Sequence, residues 1–434
     1  MTRTAPPAAS GSDGARTCTT CPLLCADIAD TPTSVTHACE AGAAAFAAAR
    51  TAATVTGEAW IDAAAVARDR AIDAAAAAIV GGRRVLVTGL ADATLEAILA
   101  ACDLAESVGA AVDAGGPEAA RLAGPTITRI GEVTAEWDEL RDRADLVIFW
   151  FCDPTTTHPR FLERFVSPPT AGPKHRRTIA VGPDAVLPPG TGHDHLSLPA
   201  DAEVDTARIL QARLLEKPLG VTDPAASTTG DAIAAAVTAA DCVAFVTRHE
   251  NDPVGLRPWS AAAVVRTIAH GKPSFQVPLA GGVRGGANEK GVAAVCGWRY
   301  GAASAIARAD RGGSDFRPAE CDAQRLIERG DVDCIVVVGR AGPAVEAAIT
   351  AQAEGIVVVR ITDAAPATST PGTMIQIRTA SQFTYPHGSM LRGDGRLVRL
   401  GPTSPGGRPT GAAVVREIES RVRLRLSAGG GGDR

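Results

Sequence analysis

The sequence predicts an α/β protein built from Rossmann-like, parallel-sheet domains with a small N-terminal cysteine-cluster unit. Three observations carry that expectation. Runs rich in β-branched residues at 85–88, 146–151, 178–181, 242–246, 335–338 and 356–359 are mostly continuously apolar, the pattern of strands covered on both faces of a parallel sheet. Alanine-rich helical patterns, as at 92–107 and 343–354, alternate with these runs. Four of the ten cysteines fall between residues 18 and 39.

Taken in order, residues 1–16 are Pro, Ala, Ser and Gly with few bulky apolar side chains and are expected to be disordered. Residues 17–56 form the cysteine unit, 57–200 a first Rossmann-like domain and 201–382 a second, with linkers expected at 183–200 and 217–230. Glycines at 388, 393 and 395 around short apolar pairs predict a hairpin, so 383–426 reads as hairpin and helix, and 427–434 as a disordered glycine-rich tail. At roughly 150 residues per domain, 434 residues accommodate this plan.

Several strands stop at small or acidic residues. Open parallel sheets bind ligands at the carboxyl ends of their strands. The candidate cofactor contacts are therefore Gly89, Asp153, Gly182, Asp184, Gly339 and Asp363.

A net charge of -5 argues against a nucleic-acid partner, which needs clustered Lys and Arg to neutralise phosphates. No uncharged apolar stretch reaches the ~18 residues of a membrane span, and the first residues lack the apolar core of a secretory signal. The expectation is a cytoplasmic protein without a membrane partner. There, cysteines serve more often as metal ligands or packing residues than as disulfides.

Cys18, Cys21, Cys25 and Cys39 are spaced C-x2-C-x3-C-x13-C. Three thiols on one short loop can converge on a centre that the fourth closes. Thiolates select zinc or an iron-sulfur cluster, and the uneven spacing favours a [4Fe-4S] cluster over a zinc module of two C-x2-C pairs, with unligated thiols as the third reading. Cys102 lies in a helical pattern and reads as packing, as do Cys242, Cys296, Cys321 and Cys334; Cys152 ends a strand at a ligand-type face. His249 follows a strand, and His193 and His195 form an H-x-H pair in a polar loop, a weak metal signal.

The run Cys18-Thr-Thr-Cys-Pro-Leu-Leu-Cys25, the closing Cys39, Gly124-Pro-Thr-Ile-Thr-Arg-Ile-Gly-Glu-Val133 and Leu140-Arg-Asp-Arg-Ala-Asp-Leu-Val147 resemble the B-type subunit of formylmethanofuran dehydrogenase, in the molybdopterin oxidoreductase superfamily. Gly281-Gly-Val-Arg-Gly-Gly-Ala-Asn288, Gly297-Trp-Arg-Tyr-Gly301 and Gly388-Ser-Met-Leu-Arg-Gly-Asp-Gly-Arg396 extend the resemblance to about residue 400. The resemblance implies a [4Fe-4S] cluster on the four cysteines and a tungsten or molybdenum bis-pterin between two Rossmann-like domains. It also implies partner subunits of a formylmethanofuran dehydrogenase or of the related bacterial formyltransferase/hydrolase complex, acting between formyl group and formate.

Two departures put a molybdopterin or tungstopterin in doubt. The redox-active subunits bind their metal through a cysteine or selenocysteine after the first β-α unit, where residues 111–121 here hold none and Glu118 offers only oxygen. The Lys or Arg common just after the fourth cysteine is replaced by Glu40-Ala41-Gly42. The expectation is a scaffold subunit; the alternative is a redox-active pterin subunit interconverting carbon dioxide and a formyl group.

Overall fold

In the computed structural model, residues 15–31, 33–114, 130–168, 172–173, 175–183, 187, 194–220, 223–248, 255–283, 285–310, 314–317, 320–352, 355–365, 373–383, 387–401 and 407–429 are described. The chain opens on a three-stranded antiparallel ribbon, β1 (Ala15–Arg16), β2 (Ile28–Asp30) and β3 (Val35–Thr36), followed by helix α1 (Glu40–Thr54). A hairpin, β4 (Ala59–Ile61) and β5 (Ala64–Val66), leads to α2 (Arg68–Gly81), β6 (Val85–Thr88), α3 (Leu95–Val108) and β7 (Ala111–Val112). Thr94 caps α3 by accepting from the Ala97 N–H at 3.3 Å, and Gly109 ends it in the left-handed conformation, φ +63°.

A second sheet then begins. It comprises α4 (Trp137–Arg143), β8 (Leu146–Trp150), β9 (Arg177–Gly182), β10 (Asp194–Ser197), α5 (Glu203–Leu214), α6 (Pro224–Ala239), β11 (Val243–Thr247), α7 (Leu256–Ala269) and β12 (Ser274–Pro278). Its five strands are parallel, in the order β10-β9-β8-β11-β12. After α8 (Glu289–Tyr300) and α9 (Ala323–Glu328) the chain returns to the first sheet with β13 (Cys334–Val338), α10 (Pro343–Ala351), β14 (Val357–Thr362) and β15 (Thr373–Arg378). That sheet has seven strands, β5-β4-β15-β14-β13-β6-β7, parallel except where β4 meets β15 and β5. The hairpin β16 (Ser389–Leu391) and β17 (Leu397–Arg399) and helix α11 (Gly411–Gly429) complete it.

Both large sheets are covered on both faces, which is why their strands carry no alternation. Every residue of β6, β8, β11 and β13 is buried. One face of the first sheet packs on α2, α3, α8 and α11, the other on α9 and α10. Val414, Val415, Ile418 and Val422 supply the buried stripe of α11, at helical spacing.

The linear split at 200/201 does not follow the sheets. β6 pairs with β13, which lies about 250 residues downstream, so the second sheet is inserted within the first. The expected linkers also carry structure: β10 lies in one and the start of α6 in the other. α6 begins there because Asp223 caps it, accepting from Ala226 N–H at 2.8 Å, and Pro224 suits its first turn. At the ends, Ala15–Arg16 pairs with β2 as a strand, and α11 runs to Gly429, past the tail boundary expected at 427, because nothing before the glycine tract interrupts it. The cysteine segment is not a separate unit either. Cys18, Cys21, Leu23, Cys25 and Phe46 share one core with Trp137, Phe149 and Phe161 of the second sheet's layer. No helix among the described residues is long and apolar enough to cross a membrane.

Candidate cofactor cavity and cysteine centre

The four N-terminal cysteines come together. The Cys18 N–H donates to the Cys25 carbonyl at 2.8 Å, closing the first loop, and Leu24 turns it with a φ of +43°. Cys39 caps α1, its Sγ accepting from the Gly42 N–H at 3.4 Å. A Cβ at Gly42 would stand 3.2 Å from Cys18 Sγ and 3.6 Å from Cys39 Sγ, so the glycine leaves room for two sulfurs from opposite ends of the segment. Cys18, Cys21 and Cys25 are buried and Cys39 is half-buried.

Burial pushes the Cys18 and Cys21 thiols up, and raises Cys25 to about 11 against the pull of Arg164 and Arg160. Such thiols ionise only beside a compensating cation. Among the described residues, no group of three or more His, Cys, Asp or Glu side chains is placed to hold a metal ion. The sulfurs are neighbours without converging on a single ion's position.

The predicted cofactor contacts divide between two sheet edges. In the first sheet the order in which strands are added reverses between β6 and β13, the switch point at which such sheets take ligands. Gly89 and Gly339 lie there, both with positive φ, and a Cβ on Gly339 would meet the Gly89 carbonyl at 3.1 Å. Asp363 is beside them, 3.7 Å from Arg340. Gly182 is the last residue of β9 in the second sheet, and Asp153 lies in the turn beyond the end of β8. Asp153 is engaged in its own turn, accepting from the Thr155 N–H at 2.7 Å and hydroxyl at 2.6 Å, and the Gly182 carbonyl accepts from Leu198 N–H at 2.9 Å. Asp184 lies outside the described residues, as do Glu118, His193 and His249.

Against the first switch point opens a cavity of about 810 Å³, lined by Thr19 and Thr20 of the cysteine segment, Gly285, Asp113, Arg325 and Arg340. The first turn of α10 faces it. Asp113 directly follows β7 and is fully buried. It accepts from the Ser304 hydroxyl, from Ala305 N–H at 3.1 Å and from Ala323 N–H at 2.9 Å. Both of its oxygens are thereby engaged. Burial also raises the pKa of Asp92, whose Oδ1 accepts from Ala287 N–H at 3.0 Å.

Asn288 joins the segments around this cavity. Its N–H donates to Ala91 at 2.6 Å, its Nδ2 to the Ala93 carbonyl at 2.7 Å, and its Oδ1 accepts from Leu391 N–H at 2.9 Å. A β-carbon at Gly291 would lie 2.2 Å from that Oδ1. The turn after β6, the start of α8 and the C-terminal hairpin thus meet on one amide. The hairpin also reaches the cysteine loop through Gly393, whose N–H donates to Pro22 at 3.0 Å.

The chain superposes on one chain of the crystallised formyltransferase/hydrolase complex of Methylorubrum extorquens, solved with methylofuran, at a TM-score of 0.68 and 19% identity, covering 85% of this chain and 99% of that one. The two chains share one fold. The fold expected from the formylmethanofuran dehydrogenase resemblance is therefore the one found. No family model and no curated protein sequence matches the chain.

Within this fold the remaining six cysteines are all buried. The Cys102 and Cys296 thiols hydrogen-bond to each other between α3 and α8, and Cys152 is buried in the core shared with the cysteine segment, which raises its pKa. Sequence reasoning gave no site role to Asp113, Asn288 or His158, although Asn288 closes one of the runs that carry the resemblance. A polar residue directly after a fully apolar strand was the available signal for the first; the other two sit in loops whose partners are distant in sequence.

His158 is fully buried, edge-on to Trp137 at 6.2 Å, with Nδ1 3.0 Å from the Thr157 hydroxyl. Burial, and then the Arg248 charge, lower its pKa to about 3. An unfolded imidazole titrates near ~6.5, so the stability held by the neutral ring is complete above that pH and falls as the unfolded state takes up a proton. Between about pH 7.5 and about pH 5 the loss should reach about 2 kcal/mol. Urea unfolding across that range will show it, and H158Q should flatten the slope; an equal slope in H158Q would assign the effect elsewhere.

Proposed function

We propose that this chain is the B-type subunit of a formyltransferase/hydrolase assembly in tetrahydromethanopterin- and methanofuran-linked one-carbon metabolism, at the step from formyl group to formate. It acts there as a cytoplasmic scaffold, while partner subunits carry out transfer and hydrolysis. The observation that carries this reading is the state of the cavity at the first switch point. No cysteine is among the described residues that line it, and Asp113, at the end of β7 where the resemblance implies a metal ligand follows, has both oxygens engaged by backbone and hydroxyl donors. Four carboxylates, Asp92, Asp113, Asp322 and Glu328, face it against Arg325 and Arg340. Arg325 is held by Asp322 at 3.2 Å and Arg340 by Asp363 at 3.7 Å. That lining does not suit an anionic metal-bis-pterin, whose phosphates need unopposed positive charge and whose metal needs a sulfur or selenium ligand.

The cysteine segment offers the four thiols that its expected group needs. We assign to Cys18, Cys21, Cys25 and Cys39 a [4Fe-4S] cluster, supported by the cradle at Gly42 that admits sulfur from both ends of the segment. Such a cluster can carry single electrons; in a scaffold it serves to hold the segment to the core. The gathered thiols also support the second reading, a redox-active subunit passing electrons to a pterin.

Purification with the native partners, followed by assay of iron, acid-labile sulfide, molybdenum, tungsten and pterin, separates the readings. Iron and sulfide at a full cluster's complement without pterin is the expected result. Stoichiometric pterin-bound metal would overturn the scaffold reading, and zinc in place of iron would overturn the cluster.

A further inference from the structure

The thirteen residues between Cys25 and Cys39 must turn back for the fourth thiol to join the other three. Part of that return is the hairpin β2–β3, in which Ala29 pairs with Thr36 and Asp30 with Val35. Even with β1 on its other side, a ribbon whose strands are only two or three residues long is marginal in water and does not by itself fix the spacing at its open end. At that end stand Asp27, two residues after Cys25, and His37, two residues before Cys39. His37 is held at a φ of +61°, unusual for a side chain with a Cβ.

One side chain from a distant part of the chain spans them. Arg160 immediately precedes the short helical segment at 161–166, over the second sheet. It donates to both carboxylate oxygens of Asp27, at 2.9 and 2.8 Å, and to the His37 carbonyl. Its remaining donors go to Glu163, at 3.1 and 2.6 Å. All the N–H groups of the guanidinium are therefore engaged, and the residue is 8% exposed. Arg164 adds a bond to Asp27 at 2.7 Å, while Arg50 of α1 holds the hairpin tip through Asp30 and, at 2.9 Å, the Thr31 carbonyl.

We propose that Arg160 is a positioning residue of the four-cysteine centre: by bridging Asp27 to the His37 carbonyl it sets the separation of Cys25 from Cys39. The inference rests on the reading that these cysteines hold an iron-sulfur cluster. A planar fork is required, since a lysine ammonium cannot satisfy a bidentate carboxylate and a carbonyl on the far arm together. The device is tertiary: the cysteine segment takes its shape from the second sheet's layer, 123 residues beyond His37.

The test uses the full chain, as wild type, R160K, R160Q and D27N, the last weakening the same bridge from a residue outside the core. Each protein is reconstituted with iron and sulfide, its absorbance and paramagnetic resonance spectra are recorded, and the rate of iron loss to a chelator is followed. Hydrogen exchange is measured on the same proteins before iron is added. The expected result is iron loss roughly tenfold or more faster in all three variants, R160K included, as for outer residues that orient metal ligands. Exchange at 26–39 should accelerate in the variants while the strands of the second sheet keep wild-type protection, which separates a local effect from unfolding. Wild-type iron retention in R160Q and R160K, or unchanged exchange at 26–39, overturns the proposal and leaves the cluster reading intact. Failure of the wild type to take up iron overturns the cluster reading and the proposal with it.

Discussion

Replacing Asp113 with alanine is expected to destabilise the protein by about 3–5 kcal/mol, among the largest effects of any single substitution here. The carboxylate is fully buried and its three donors come from two places: the Ser304 hydroxyl with the neighbouring Ala305 N–H, and the Ala323 N–H in the first turn of α9. Alanine would leave buried N–H groups without acceptors, each costing about 1–3 kcal/mol. Asparagine keeps one oxygen and should lose about half as much. The position also ties the end of β7 to the return of the chain into the first sheet, since Val112 and Ile306 exchange backbone hydrogen bonds at 2.9 Å on the neighbouring residues. Denaturant unfolding followed by circular dichroism measures the difference. A loss below about 1 kcal/mol for D113A would show that water replaces the carboxylate, and that Asp113 does not pin the cavity wall.

Arg392→Ala is expected to cost about 3–5 kcal/mol, because it breaks a buried pair and leaves one partner charged. Arg392 lies on the C-terminal hairpin with its guanidinium 5.5 Å from the Trp137 ring and 5.3 Å from Phe165. It donates to Asp394 at 2.8 Å and to Asp138 at 2.8 Å. The Asp394 side chain is 1% exposed and also accepts from the Trp137 N–H at 2.7 Å. Burial alone would raise the Asp138 carboxyl, yet hydrogen bonding and charge from Arg392, with Arg141 and Arg396, hold it below the usual carboxylate range. Without Arg392 the buried Asp394 carboxylate loses its cation and keeps only the Trp137 and Arg396 backbone donors. The double variant R392A/D394N should lose less than the sum of the two single losses, because the second change removes the charge that the first strands. Additive losses in equilibrium unfolding would show that the two side chains act independently.

The strands were legible because a parallel strand covered on both faces must be apolar at every position, and that property is local. The run at 335–338 is the core of β13, and 146–151 differs from β8 by one residue. Helices α3 and α10 stood where alanine-rich periodicity put them. Pairing was not legible. Two apolar strands carry no label saying which will be neighbours, so the segments on either side of residue 200 read as consecutive domains, whereas β13 adds to β6 and encloses the second sheet as an insertion. Candidate contacts at strand ends suffered accordingly. Gly89, Gly339 and Asp363 share an edge because β6, β13 and β14 are neighbours; Asp153 and Gly182 belong to the other sheet. The residues that organise the cavity and the cysteine loop, Asp113, Asn288 and Arg160, are polar side chains whose partners lie more than a hundred residues away.

The sequence by itself determined the alternation of strand and helix, the four-cysteine motif and the lack of a cysteine in 111–121, because periodicity, spacing and residue identity need no neighbours. Only the tertiary structure decided that the cysteine segment is part of the second sheet's core, that one sheet is nested in the other, and that Asp113 is a buried pin at the cavity wall. Those outcomes depend on which distant hydrogen-bond donors and apolar faces meet when both sheets close, a choice made by long-range contacts and carried by no local stretch of chain.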